Sequence, residues 1–381
     1  MDQIAFAPPV DDAALHELRR EVRAFLAETI GDHAPGQRIR SWMGNDAAFS
    51  RACGEAGYLG MTFPTRYGGQ GRTSMERYVV TEEMLAAGAP VGLHWIADRQ
   101  SGPLLLQYGT EEQRREILPR VAAGECYFCI GMSEPDSGSD LAAARTRAEP
   151  VDGGFVINGT KVWTTNAHLA HYMILFCKTE AAEDRHGGAS QLLIDLSTPG
   201  ITISPILNMA GKHEFNEVSF RDVFVPETAL IGTRGGGWAQ VMGELAFERS
   251  GPERFLSTFA VLVELIRHAS AEPTREAKIA VGRLTAHLVT MRRMSRSVAG
   301  LLQAGENPSL QATIVKDLGA VFEQDLPEIA RLLVPRPVGR AGQSDYEAVL
   351  DYAILHAPSF SLRGGTREIL RGIIARGLGL R

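Results

Sequence analysis

The stretch GMSEPDSGSD, Gly131 to Asp140, sets three serines and a glutamate among small residues. Such a loop can wrap hydroxyls and backbone N–H groups around a polar cofactor, where a low local dielectric makes each fixed donor worth more than in water. The same composition also suits an ordinary hairpin linker, and the residues alone leave both readings open. A second polar group, Trp163, Thr164 and Thr165, closes the run KVWTT. Carboxylates gather farther on in GELAFERSGPER, where Glu244 and Glu248 stand one helical turn apart on a shared face and Glu253 follows a Gly-Pro break. A partly desolvated carboxylate can act as a general base, whereas one paired with Arg249 at the surface is only half of an ion pair. Cys126 and Cys129 form a CxxC, but CYFCIGMS alternates like a strand, which points the two thiols to opposite faces, and there is no second pair. No metal or redox centre is expected there. The run RGGGW joins a strand to a helix without the spacing of a dinucleotide fingerprint, so it reads as a connector.

These groups need elements to hold them. Leu15, Leu18, Val22, Phe25 and Leu26 recur at helical spacing, so the chain opens with an amphipathic helix. Thr110 caps TEEQRREILPRV, with Gln113 placed to close a capping box. Residues 1–124 read as a helical domain. The pattern then changes to short alternating runs, ECYFCIGMS, GFVING, KVWTT, HYMILFCK, SQLLIDL and EVSFRDVFV, punctuated by turns at Asp152-Gly153-Gly154 and Asn158-Gly159. Residues 125–235 are therefore expected to form a central antiparallel β-domain, ended by GTRGGGW. Helical periodicity returns over 236–381, with long helices near 238–270, 275–303 and 309–333 and a last one after Thr366. The fold class is α+β and multidomain, with a helical bundle at the C-terminal end.

A chain of 381 residues with 44% hydrophobic content buries the core of two or three domains. Its formal net charge of −6 gives no long-range attraction for phosphate polymers, so nucleic acid is not an expected partner. Five lysines, at 161, 178, 212, 278 and 316, stand among far more arginines, a bias that reads as codon usage rather than chemistry. The start lacks a basic segment leading into an apolar run, and no later stretch is apolar for the roughly 18 residues that span a bilayer, so a soluble, cytoplasmic protein is expected. Four cysteines do not make a disulfide framework.

CIGMSEPDSGSD followed by INGTKVWTTNA resembles the acyl-CoA dehydrogenase family. The resemblance continues through GTEEQRREILPRVAAGE before these motifs, LAFER after them and the C-terminal GGTREILRGIIARGLGLR. It covers essentially the whole chain in the right order. It implies a helical domain, a β-domain and a four-helix bundle, with FAD lying between the β-domain and the bundle. It further implies that Met132 and Ser133 lie against the flavin ring, with Ser139 near both flavin and substrate. Trp163, Thr164 and Thr165 are expected along the ring's other face and edge, and Gly365, Thr366 and Glu368 match the family's C-terminal cofactor-contact motif.

Dehydrogenating a saturated acyl-CoA thioester couples removal of a weakly acidic α-proton to hydride transfer from the β-carbon to flavin N5. Most family members carry the base just before a C-terminal Gly-Thr, a place that SLRGGTREIL gives to Gly364. A minority, including isovaleryl and long-chain types, carries it on a bundle helix immediately before an Arg. Glu248-Arg249 matches that position, so Glu248 is the expected base and Glu244 its rival. The family presents a backbone N–H at the Gly364 position to the thioester oxygen, and glycine keeps that donor. Arg249 is expected to hold the CoA end of the substrate or to orient the helix. His94, Trp95 and Arg99 are candidates for the acyl-tail region, although helix packing explains His94 and Trp95 equally well.

One departure bears on assembly. Family members carry an Arg-x-x-Phe-Gly motif and a following Gln that reach the adenine half of FAD across a dimer interface. RHASAEPTREAKIAVGRL stands in its place, with Pro273 breaking the helix, and PRPVGRAGQSD replaces a Gly-rich segment before the C-terminal helix. Either other contacts hold FAD or a different chain supplies the missing half-site, as in heteromeric enzymes of the sterol side-chain type. A homo- or hetero-oligomer through the C-terminal bundle is expected, with an electron acceptor such as an electron-transfer flavoprotein. The alternatives are an FAD-binding or assembly subunit, or another flavin reaction on the same fold, desulfinase or monooxygenase, against which Glu248 argues.

Overall fold

The structure, a computed structural model, describes residues 4–249, 251–334 and 344–380. It divides into two compact units, one made of Met1–Gly44, Thr73–Val91 and Ala246–Arg381, the other of Asn45–Arg72 and Gly92–Leu245. No described helix is long and apolar enough to cross a membrane.

The second unit is built on an eight-stranded sheet: β1 (Phe128–Gly131), β2 (Arg147–Val151), β3 (Gly154–Thr165), β4 (Tyr172–Lys178), β5 (Ala189–Asp195), β6 (Ile201–Leu207), β7 (His213–Pro226) and β8 (Leu230–Ile231). The order is β6-β7-β3-β2-β4-β5-β8, with β1 beside β4. Alternation sends one row of each strand to a core that includes Cys129, Ile157, Met173, Leu175, Leu192 and Val218. A second cluster, with Phe63, Leu104, Leu118, Cys126 and Phe128, joins helical residues to the sheet's other face. Cys126 and Cys129 thus sit in different clusters, both buried, and burial pushes the Cys126 thiol up to about 11. The helix Glu111–Ala122 carries the expected capping box, Thr110 Oγ1 accepting from Gln113 N–H at 3.1 Å while Gln113 Oε1 accepts from Thr110 N–H at 3.0 Å.

Two sheet expectations are corrected. The sheet is not wholly antiparallel, because β1 runs parallel to β4, from Phe128↔Tyr172 to Gly131↔Leu175. Nor is Asn158-Gly159 a turn. It lies inside β3, where the register slips between Ile157 and Gly159, and a Cβ at Gly159 would meet Thr146 Oγ1 at 2.5 Å. Glycine serves close strand packing here rather than chain reversal.

In the first unit the helix Ala13–Ile30 buries Leu15, Leu18, Val22, Leu26 and Ile30 on one stripe, as its spacing predicts. Four long helices follow late in the chain, Phe259–Ala271, Arg275–Gln303, Ser309–Leu333 and Asp345–Phe360, before a last one, Arg367–Gly377. The single helix expected near 238–270 is broken. Gly237–Glu248 ends before Gly251-Pro252, a short 3-10 turn buries Pro252, Glu253 and Arg254, and Phe259–Ala271 starts afresh. Pro273 also follows a helix end, and Thr274 caps the next helix by accepting from Ala277 N–H at 3.1 Å. Most of the PRPVGRAGQSD segment, residues 335–343, lies outside the described residues.

Candidate active site

The loop after β1 is pinned by a buried lysine. Lys161, on β3 and with no exposed side-chain surface, donates Nζ to Met132 O at 3.0 Å and to Glu134 Oε1 at 2.8 Å. The Glu134 carboxylate also accepts the N–H groups of Arg145 at 2.7 Å and Thr146 at 2.9 Å. Between those anchors Val162 N–H donates to Ser133 O at 2.9 Å. Burial works to raise the Glu134 pKa, but the Lys161 charge and these donors outweigh it and leave the carboxyl below its usual range. Ser137 is buried and its Oγ donates to Asp140 O, while Ser139 is exposed.

Directly beyond Lys161 the strand bulges. Pairing with β7 runs from Lys161↔Val218 to Thr164↔Asn216, three steps along β3 against two along β7. The extra residue turns Trp163 outward at φ 58, leaving it 61% exposed with its ring edge-on to Phe215 at 6.1 Å. Trp163 and Asn166 are two of the three non-glycine residues at positive φ among the described residues, and a bulky side chain adopts that conformation only under constraint. The constraint is visible on both sides. Asn216 Nδ2 donates to Thr164 O at 3.0 Å, and Asn166 donates to Asn45 Oδ1 at 3.1 Å and Gly92 O at 3.3 Å. Thr164 itself is 1% exposed, and its Oγ1 has no hydrogen-bond partner among the described residues.

A second set lies in the helical unit. Buried Arg249, the residue after the helix Gly237–Glu248, donates Nε to Gly364 O at 3.3 Å. Gly364 and Gly365 take φ of 70 and 97, which turns the chain sharply into Thr366 and the helix Arg367–Gly377. Arg363, largely buried, fixes the turn from behind by donating Nη2 to Glu323 Oε2 at 2.7 Å, Ser257 Oγ at 2.7 Å and Glu253 O at 3.1 Å. Its guanidinium lies 5.2 Å from the Trp42 ring centroid and 4.7 Å from that of Phe360. Thr366 caps the last helix, and backbone and Thr366 hydrogen bonds hold the exposed Glu368 carboxyl below its usual range. The side chains of residues 244–248, Glu244 and Glu248 among them, lie outside the described residues.

Residues 12–125 match the family described as acyl-CoA dehydrogenase, N-terminal domain, and residues 129–223 match acyl-CoA dehydrogenase, middle domain. Acyl-CoA dehydrogenase IpdE1 of Mycobacterium tuberculosis is 32% identical over 96% of this chain and 98% of its own length. The chain belongs to the acyl-CoA dehydrogenase family. Its members are oxidoreductases. Two solved relatives share the fold, the Tcur3481-Tcur3483 steroid ACAD at TM-score 0.85 and the ChsE4-ChsE5 complex from Mycobacterium tuberculosis at 0.83. Each is 28% identical; they cover 97% and 98% of this chain and are covered over 98% and 100% of their own.

The residues of the β-containing unit fit the family's flavin. An orphaned buried hydroxyl at Thr164, an indole turned outward at Trp163 and a rigid Met132–Ser133 segment suit a flat ring with polar edges. The structure brings Met132, Ser133, Trp163, Thr164 and Thr165 together through β3, since Ser133 O is bonded to Val162 N–H. It brings Arg249 to Gly364. His94, Trp95 and Arg99 are instead all buried. His94 Nδ1 pairs with Ser50 Oγ at 2.9 Å, and the Arg99 guanidinium sits 5.3 Å from the Trp95 ring. Sequence reasoning passed over Lys161, Glu134, Asn216, Arg363 and Glu323. A lysine amid alternating apolar strand residues in a lysine-poor chain was the available signal for the first.

Proposed function

We propose that this protein is an FAD-dependent dehydrogenase of acyl-CoA thioesters, with Glu248 as the base for the α-proton. FAD, when bound, supplies the acceptor for the β-hydride at N5. Met132, Ser133, Trp163, Thr164 and Thr165 hold the ring, Ser139 serves flavin and substrate, and Gly365, Thr366 and Glu368 add cofactor contacts. Thr164 Oγ1, buried and without a partner among the described residues, is a donor that a polar ring edge satisfies. The Gly364 N–H stabilises charge developing on the thioester oxygen.

The observation that carries the choice of base is the hydrogen bond from Arg249 to Gly364 O. It ties the end of the helix bearing Glu248 to the turn where most family members place their carboxylate. Glycine at 364 removes the carboxylate from that turn, so the base must come from the helix, and Arg249, buried on that turn, orients the helix end.

Both solved relatives are named for two components, one of them a steroid ACAD. We take a steroid-derived acyl thioester as the substrate class, a second chain as the source of the adenine half-site that RHASAEPTREAKIAVGRL lacks, and an electron-transfer flavoprotein as the acceptor in the cytoplasm. The test is anaerobic mixing of the purified protein, alone and with candidate partner chains, with steroid, branched short-chain and straight-chain acyl-CoAs. Rapid loss of oxidised-flavin absorbance with the steroid thioester is expected. Failure to bind FAD under every condition overturns the enzyme reading, and bleaching by straight-chain substrates alone overturns the substrate class.

A further inference from the structure

Lys161 lies fully inside the sheet, yet both of its polar contacts serve one short segment. Its Nζ holds Met132 O at 3.0 Å and Glu134 Oε1 at 2.8 Å, while Val162 N–H, the next donor along β3, holds Ser133 O at 2.9 Å. Glu134 then ties the far side of the loop to the N–H groups of Arg145 and Thr146. Immediately beyond Val162 comes the bulge that turns Trp163 outward. Two segments, 132–134 and 161–163, are thereby locked residue against residue.

A buried ion pair is a poor way to gain stability, because desolvating two charges offsets most of their attraction and apolar residues of the same volume do as well. It does specify geometry, since each charge tolerates few arrangements of its partners. We propose that the Lys161–Glu134 pair is the positioning element of the flavin surface, fixing Ser133 on one side and the Trp163 bulge on the other as a single rigid piece. Both side chains are buried and act through the backbone of Met132, Ser133 and Val162. The inference rests on the flavoenzyme reading and adds to it residues with no assigned role.

The test compares full-length wild type with the double variant Lys161→Met, Glu134→Gln, which removes both charges while Gln keeps one acceptor oxygen where the carboxylate takes the N–H groups of Arg145 and Thr146 on two. Thermal stability without FAD should fall far less than in Lys161→Ala, because no buried charge is left without its partner. FAD affinity should fall about tenfold or more, and the visible circular dichroism of bound flavin should change sign or shrink. Glu134→Asp, which keeps both charges and withdraws the carboxylate by one methylene, should show a smaller loss in the same direction and carries the test should the double variant not fold. Wild-type affinity and an unaltered flavin spectrum in the folded variants overturn the positioning role. Absence of FAD binding by wild type instead overturns the underlying reading, so the two failures are distinguishable.

Discussion

The Met132–Thr165 set and the Gly364 turn are built by opposite means. The first is made within one stretch, Met132 to Thr165, closed on itself by Lys161 and by the Ser133–Val162 hydrogen bond, with Asn216 bracing it from the neighbouring strand. The second is gathered from Trp42, Arg249, Glu253, Ser257, Glu323, Phe360 and Arg363, spread over most of the chain. A locally closed set keeps its geometry through strand pairing and buried charge. A gathered set depends on helix packing and on two glycines that accept a left-handed backbone. Substitutions should therefore act as losses of fixed polar partners in the first and as backbone strain in the second.

The largest effect is expected from Lys161→Ala. It leaves the Glu134 carboxylate buried beside an unsatisfied Met132 carbonyl, and breaking one half of a buried pair costs about 3–5 kcal/mol. Urea unfolding followed by near-ultraviolet circular dichroism measures it, and a loss below about 1 kcal/mol would contradict a closed set.

Acid should also weaken the β-containing unit. His94 is buried, and desolvation lowers its pKa to about 4 from 6.5, with the Asp98 charge opposing. The folded state thus holds His94 neutral while the unfolded chain takes up a proton below about 6.5. Its contribution is full above that pH and fades as pH falls toward about 4, by roughly 3 kcal/mol in all. His94→Phe should flatten this part of the pH–stability curve; an unchanged slope would place the titration elsewhere.

In the gathered set, Gly365→Ala isolates backbone strain. An added Cβ meets nothing closer than Arg249 Nη2 at 3.5 Å, so the cost comes from φ 97 alone. About 1–3 kcal/mol is expected from unfolding measurements, and a neutral result would show that the turn relaxes freely.

The smallest and most diagnostic change is Thr164→Val. The hydroxyl lost has no partner among the described residues, so stability without FAD should hold or rise slightly, while FAD affinity drops roughly 2- to 10-fold. Equal loss in both would make Thr164 a packing residue.

This contrast also governs what the sequence reveals. SEPDSGSD and KVWTT are legible because their chemistry is local: hydroxyls, a loop and a strand stand together in the chain. The alternating runs likewise announce the sheet, and Leu15 to Leu26 announce the first helix. The bulge at Trp163 is hidden, because its cause is the pairing count against β7 and not any residue of β3. Asn158-Gly159 misleads for the same reason, a turn dipeptide placed in a strand by the approach of Thr146. Arg363 with Glu323 is beyond reach, since the two residues meet only once the helices pack.

The central claim, that Glu248 takes the α-proton, is tested most directly by anaerobic single-turnover bleaching of the flavin in Glu248→Gln and Glu244→Gln beside wild type. Glutamine keeps the shape and removes the proton acceptor, so FAD and acyl-CoA binding should persist in Glu248→Gln while bleaching slows by about 10²–10⁴-fold, with Glu244→Gln close to wild type. Near-wild-type bleaching by Glu248→Gln would contradict the account, and its abolition by Glu244→Gln would move the base one turn back along the helix.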